Sequence, residues 1–66
     1  MKVTLYSTHC PNCIVLEKKL KLKNIEFNEV NDIGIMEEKG FVSAPMLEVD
    51  DTVMNFQTAI SWINKQ

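Results

Sequence analysis

Two cysteines separated by two residues stand where the chain changes its hydrophobic period. Residues 2–7 alternate, with Val3 and Leu5 on one side and β-favouring Thr4 and Tyr6 on the other, until Ser7-Thr8-His9 breaks the pattern. From Pro11 onward Cys13, Leu16, Glu17 and Leu20 recur at helical spacing, with Lys18, Lys19, Lys21 and Lys23 outside that stripe. The run Cys10-Pro11-Asn12-Cys13 thus spans a strand-to-helix junction. Pro11 suits the first helical turn, where its missing N–H has no intrahelical partner to lose. Asn24 tolerates positive φ and is placed to stop the helix.

The remaining elements follow from the same two periods. Ile25-Glu26-Phe27-Asn28-Glu29-Val30 predicts a second strand, reached directly from the helix and so a parallel partner for the first. Asp32 predicts the cap of a short helix through Lys39, ended by Gly40 and weakened by internal Gly34. Met46-Leu47-Glu48-Val49 and Thr52-Val53-Met54 flank Asp50-Asp51, a two-residue hairpin without the usual glycine. From Phe56 to the end, Phe56, Ala59, Ile60 and Ile63 form the stripe of a last amphipathic helix. The predicted order is βαβαββα, an α/β fold with a mixed four-stranded sheet and no linker, repeat or low-complexity segment.

Composition narrows the function classes. At 66 residues the chain is read as a single domain over 1–66, since a second core would be too small to offset its ordering entropy. A hydrophobic share of 45% against 24% charged excludes disordered and fibrous classes. The net charge of −2, with seven lysines and nine acids spread along the chain, leaves no basic patch for nucleic acid. The opening residues are too short and too quickly interrupted for a signal peptide, and no apolar run approaches ~20 residues. A soluble, cytoplasmic protein with no membrane partner is the expectation.

Chemistry explains the cysteines better than stapling. A crosslink stabilises more as its loop lengthens, and a bridge from Cys10 to Cys13 closes almost nothing. A nucleophilic sulfur must be a thiolate, and the unpaired amides and positive dipole end of a starting helix favour that form at Cys10. Cys13, one turn inside, is positioned to attack a mixed disulfide on Cys10. Cys10 is therefore the nucleophile and Cys13 the resolving thiol. The competing readings are two cysteines acting as small buried hydrophobes, or a metal site. Closed zinc sites want four ligands, and Cys10, Cys13 and the adjacent His9 do not supply them. Haem attachment requires His after the second Cys, where Ile14 stands. No metal is expected.

Leu5-Tyr6-Ser7, Cys10-Pro11-Asn12-Cys13, Asn24-Ile25-Glu26-Phe27, Gly40-Phe41-Val42-Ser43-Ala44-Pro45-Met46 and Asn55-Phe56-Gln57 occur in the order found in one family. Over nearly its full length the sequence resembles the glutaredoxins, most closely the short glutaredoxin-like proteins that include the hydrogen donors of ribonucleotide reductase. The resemblance implies a thioredoxin fold, a monomer, no tightly held cofactor, and reduction of protein or low-molecular-weight disulfides. Ribonucleotide reductase is one such protein substrate, with glutathione or thioredoxin reductase as the source of electrons. It makes Pro45 the family's cis-proline, against the alternative of a trans turn, and Ala44 the residue that offers backbone groups to an extended substrate.

Glutathione-using members carry Lys or Arg just ahead of the motif, where this chain has Ser7-Thr8-His9. They also carry Gly-Gly or Ser-Asp before the last helix, where it has Met54-Asn55-Phe56-Gln57-Thr58. Asn55 and Gln57 remain candidates for presenting helix-start amides to a carboxylate, and their segment is placed like the one that docks thioredoxin reductase. The reductant stays open. So do two other classes, a glutathione-dependent iron–sulfur cluster carrier and a redox-inactive binding module.

Other residues carry two readings each. His9 either supplies charge beside the nucleophile or is a solvated loop histidine. Tyr6 and Met46 either line the site from the strand ends or pack the core. Asn12 tunes the redox poise through the helix start, in a direction that residue type does not reveal. The Lys-rich helix face is read as solvated surface, Glu17 as a charge opposing ionisation of Cys13, and Trp62 as packing.

Overall fold

The computed structural model describes residues 1–41 and 43–66. Val42, part of the stretch compared with the glutaredoxins, lies outside the described residues. The elements are β1 (Val3–Tyr6), α1 (Pro11–Leu22), β2 (Asn28–Val30), α2 (Ile33–Glu38), β3 (Met46–Val49), β4 (Thr52–Met54) and α3 (Phe56–Asn64). This is the predicted order, in a mixed four-stranded sheet arranged β2-β1-β3-β4. β1 runs parallel to β2 and antiparallel to β3, and β3 pairs antiparallel with β4.

Alternation along the strands divides the two sheet faces. Val3, Leu5, Leu47, Val49 and Met54 join Leu16 and Leu20 of α1 and Ala59 and Ile63 of α3 in one buried cluster. Leu5, Leu16, Leu20 and Leu47 are fully enclosed, each contributing about 1.5–3 kcal/mol of hydrophobic stabilisation. The out-of-phase residues Tyr6 and Glu48 face the other way, toward the end of α2. Met36 is the one buried residue of that short helix.

The second strand differs from expectation because the preceding helix ends in a Schellman motif. Asn24 takes φ 57°, its amide bonds Lys21 O at 3.0 Å, and the Ile25 amide bonds Leu20 O at 3.0 Å. With its amide committed to the helix, Ile25 has no N–H to give the ladder, and β2 starts at Asn28. The end of α2 repeats the arrangement, with Gly40 at φ 78° and amides of Gly40 and Phe41 bonded to Glu37 O and Met36 O. Its start is capped by Asp32, whose Oδ1 accepts from the Gly34 amide at 2.8 Å. A Cβ on Gly34 would lie 3.1 Å from that same oxygen, which accounts for a glycine inside a helix.

The hairpin also closes without glycine. Val49 pairs with Thr52, leaving Asp50 and Asp51 as the turn. Asp50 itself adopts φ 53°, a region that Asp visits more readily than most residues. Its amide donates to Lys2 O at 2.8 Å, and its carboxylate accepts from the Lys2 amide at 2.9 Å.

Candidate functional site

Strand register brings four connections to one end of the sheet. Tyr6 pairs with both Val30 and Met46, and Leu47 pairs with Met54. The segments Ser7–Cys10, Asn31–Asp32, Ala44–Pro45 and Asn55–Gln57 therefore all start or finish at the same edge, beyond the carboxyl ends of the parallel strands.

The approach to Cys10 is held by Ser7, a buried polar residue at 1% exposure. Its amide donates to Val30 O at 2.9 Å, its Oγ accepts from the His9 amide at 3.0 Å, and its carbonyl accepts from Asn31 Nδ2 at 3.0 Å. So constrained, the exposed His9 turns through φ 62° and delivers Cys10 to the start of α1.

Cys10 is the N-cap of α1, with φ −70° and ψ 164°. Its carbonyl accepts the first helical bond, from the Ile14 amide at 3.0 Å. Its sulfur takes the place of a capping oxygen, accepting from the Cys13 amide at 3.2 Å. Cys10 is half-buried and Cys13 has no exposure. The two are joined as a disulfide with their Cα atoms 5.0 Å apart. Pro11 and Asn12, both exposed, form the first turn over it. Across from the pair, the Ala44–Pro45 peptide is cis. Pro45 is buried, and the Ala44 carbonyl oxygen lies 3.9 Å from Cys10 Sγ.

The other predicted residues are placed less directly. Tyr6 lies on the α2 face, where its hydroxyl donates to Glu48 Oε1 at 2.8 Å. Its ring meets Phe41 edge-on at 5.0 Å, and Lys39 Nζ sits 5.6 Å from the ring centre and 3.7 Å from Glu48. Burial raises the Tyr6 pKa above its usual 10.0, the Glu48 hydrogen bond adds to this, and Lys39 opposes it. Lys39 is in turn pushed up, first by its interaction with Tyr6 and then by Glu48. Tyr6 is thus anchored among its neighbours, with its hydroxyl directed along the sheet to β3.

Asn55 caps α3, its Oδ1 accepting from the Thr58 amide at 2.9 Å. Gln57 is exposed in the first turn. Both stand at the same sheet edge as the disulfide, and no hydrogen bond joins either to a cysteine among the described residues. Met46 is half-buried. Glu17 is engaged by Lys21 at 3.0 Å on the outer face of α1.

Residue type alone does not mark Ser7 and Asn31 as part of the site, nor Glu48, Lys39 and the α2 residues beside it. The available signal was weak: a small polar residue directly after a strand, where backbone groups run out of ladder partners. Beside the cysteines a groove of about 320 Å³ is lined by Thr8, Ile33, Met36, Glu37, Phe41, Ser43 and Ala44. A larger hollow, about 570 Å³, lies at the opposite end of the sheet around Lys2, Phe27 and Asn28.

Fold and site together define a mixed α/β protein that carries a two-cysteine disulfide at a helix start, beside a cis-proline. No family model matches the chain, and neither a curated protein nor a solved structure matches it. Among the described residues no helix is long and apolar enough to cross a membrane. Among them also, no three His, Cys, Asp or Glu side chains converge as a metal site would require.

Proposed function

We propose that this chain has a thioredoxin-type fold and is a glutaredoxin-like thiol-disulfide oxidoreductase. The observation that carries the reading is the asymmetry of the disulfide. Cys10, half-exposed, caps α1 and accepts the Cys13 amide, while Cys13 is fully enclosed behind it. In the reduced state the same amide and the helix dipole favour a thiolate on Cys10.

The Cys10 thiolate attacks one sulfur of a substrate disulfide, forming a mixed disulfide and releasing the other sulfur as a thiolate that takes a proton from solvent. Cys13, having lost its own proton, then attacks Cys10 Sγ. The substrate's second sulfur departs and the Cys10–Cys13 disulfide remains. Two electrons pass from the cysteine pair to the substrate. The Ala44 backbone beside Sγ is suited to hold an extended substrate segment in line for this exchange. Regeneration needs a reductant, either a small thiol such as glutathione or a dithiol flavoprotein such as thioredoxin reductase. A protein disulfide, that of ribonucleotide reductase among them, is the substrate class. The protein acts as a cytoplasmic monomer.

The test is reduction of a protein disulfide by the reduced chain. Wild type is expected to reduce it with a reduction potential between about −120 and −300 mV. Cys10→Ser is expected to lose all turnover, and Cys13→Ser to stop at a trapped mixed disulfide on Cys10. Undiminished turnover in Cys10→Ser refutes the reading. Supplying glutathione or a thioredoxin reductase to the oxidised chain identifies the reductant by which one restores activity.

A further inference from the structure

The groove next to the cysteines is built by an element whose apolar residues are poorly covered. α2 buries Met36 but leaves Ile33 59% exposed and Ile35 40% exposed. Ile33, Met36 and Phe41 line the groove, which starts at Thr8, two residues before Cys10, and ends at Ala44. The Ala44 carbonyl is 3.9 Å from Cys10 Sγ, so a residue that lines the groove also borders the sulfur. At about 320 Å³ it sits at the low end of ligand clefts, ~300–1,000 Å³. That is room for one or two side chains of an extended segment.

Its charge has one sign. Among the described lining residues Glu37 alone is charged. The cation nearest in sequence, Lys39, is drawn to Glu48 at 3.7 Å and to the Tyr6 ring. From residue 24 to residue 38 the chain holds Glu26, Glu29, Asp32, Glu37 and Glu38 without a lysine or arginine. The lysines of α1 lie on the other side of the sheet. An anionic group brought to this groove meets repulsion, and a cation meets Glu37.

Resting on the oxidoreductase reading, we propose that the groove is its specificity subsite. It accepts an apolar side chain and a neighbouring Lys or Arg that flank the reacting cysteine of a peptide disulfide. The apolar side chain lies against Ile33, Met36 and Phe41 while the cation faces Glu37. The exchange itself is unchanged: the Cys10 thiolate attacks the peptide's cysteine sulfur, a Cys10–peptide disulfide replaces the peptide's own, the partner thiol leaves as a thiolate, and Cys13 then displaces the peptide thiolate from Cys10.

Three short peptides, each with one cysteine in mixed disulfide with the same chromogenic thiol, test this. Their flanking residues are Leu with Lys, Leu with Glu, and Ser with Lys. Wild type is expected to favour Leu/Lys over Leu/Glu in kcat/KM by about threefold or more, an effect that shrinks as salt is raised. It is expected to favour Leu/Lys over Ser/Lys by about tenfold. Glu37→Lys should reverse the first preference and Ile33→Ser flatten the second. Each preference is a ratio within one variant, so loss of folded protein does not imitate it. Equal kcat/KM for the three peptides, with Cys10-dependent release of the chromogenic thiol intact, overturns the subsite and leaves the oxidoreductase standing. Absence of Cys10-dependent release from any peptide overturns both.

Discussion

Tyr6 shows how a single side chain reports its surroundings. It is the only tyrosine in the chain, and burial is the first cause of its raised pKa, with the Glu48 hydrogen bond second. A phenol with a raised pKa is held neutral by the fold. Its contribution to stability is therefore fully present below the unfolded value near 10.0 and is lost as pH rises through the folded value. An absorbance titration of tyrosinate should give a native midpoint above 10.0, with stability declining over the same range. Glu48→Gln should lower that midpoint but leave it raised, because burial persists. A native midpoint at or below 10.0 contradicts the arrangement. The residue alone, an aromatic at a strand end, was equally compatible with lining the site. Its hydroxyl partner, 42 positions away, decided its orientation.

At the scale of elements, the terminations carry as much information as the interiors. Asn24 occupies the left-handed position of the Schellman motif that ends α1 and sets where β2 starts. A β-branched residue there pays the left-handed penalty of about 1–2 kcal/mol, whereas glycine does not. Asn24→Val should thus lower unfolding stability by about 1–2 kcal/mol, and Asn24→Gly should leave it unchanged or slightly raised, as read by chemical denaturation. Equal stability of the valine and glycine variants would argue against the cap. The stop at Asn24 was legible because its cause is local. That the ladder would begin only at Asn28 was not, since alternation over Ile25-Glu26-Phe27 looks the same whether or not the Ile25 amide is already committed to the helix before it.

For the whole molecule, size governs the consequences of core damage. The accessible surface is 4300 Å² and the Cα radius of gyration is 10.7 Å. Both agree with the ~4,300 Å² and ~11 Å of a fully folded chain of this mass and length. A chain this short has roughly 3–10 kcal/mol of stability in total, and Leu47, fully enclosed on the central strand β3, makes one of its larger contributions. Leu47→Ala should cost about 2–5 kcal/mol, enough to unfold a large share of the population on modest warming. Val53→Ala, on the exposed side of the neighbouring strand at 44% exposure, should cost well under half as much. Thermal unfolding followed by circular dichroism distinguishes them, and comparable losses would contradict the assignment of faces.

The amino-acid sequence by itself determined the order and type of all seven elements, the placing of Cys10 at a helix start and the caps at Asp32 and Asn24. These depend on interactions within a few residues, where periodicity, proline and capping preferences act directly. Only the tertiary structure decided what surrounds the cysteines. The Ala44 carbonyl reaches Cys10 from 34 positions away, Asn31 holds Ser7 from 24, and Asp50 clips Lys2 from 48. Each of these contacts depends on strand register and on which sheet face a helix covers. Those are settled by the packing of the whole core rather than by any local run of residues.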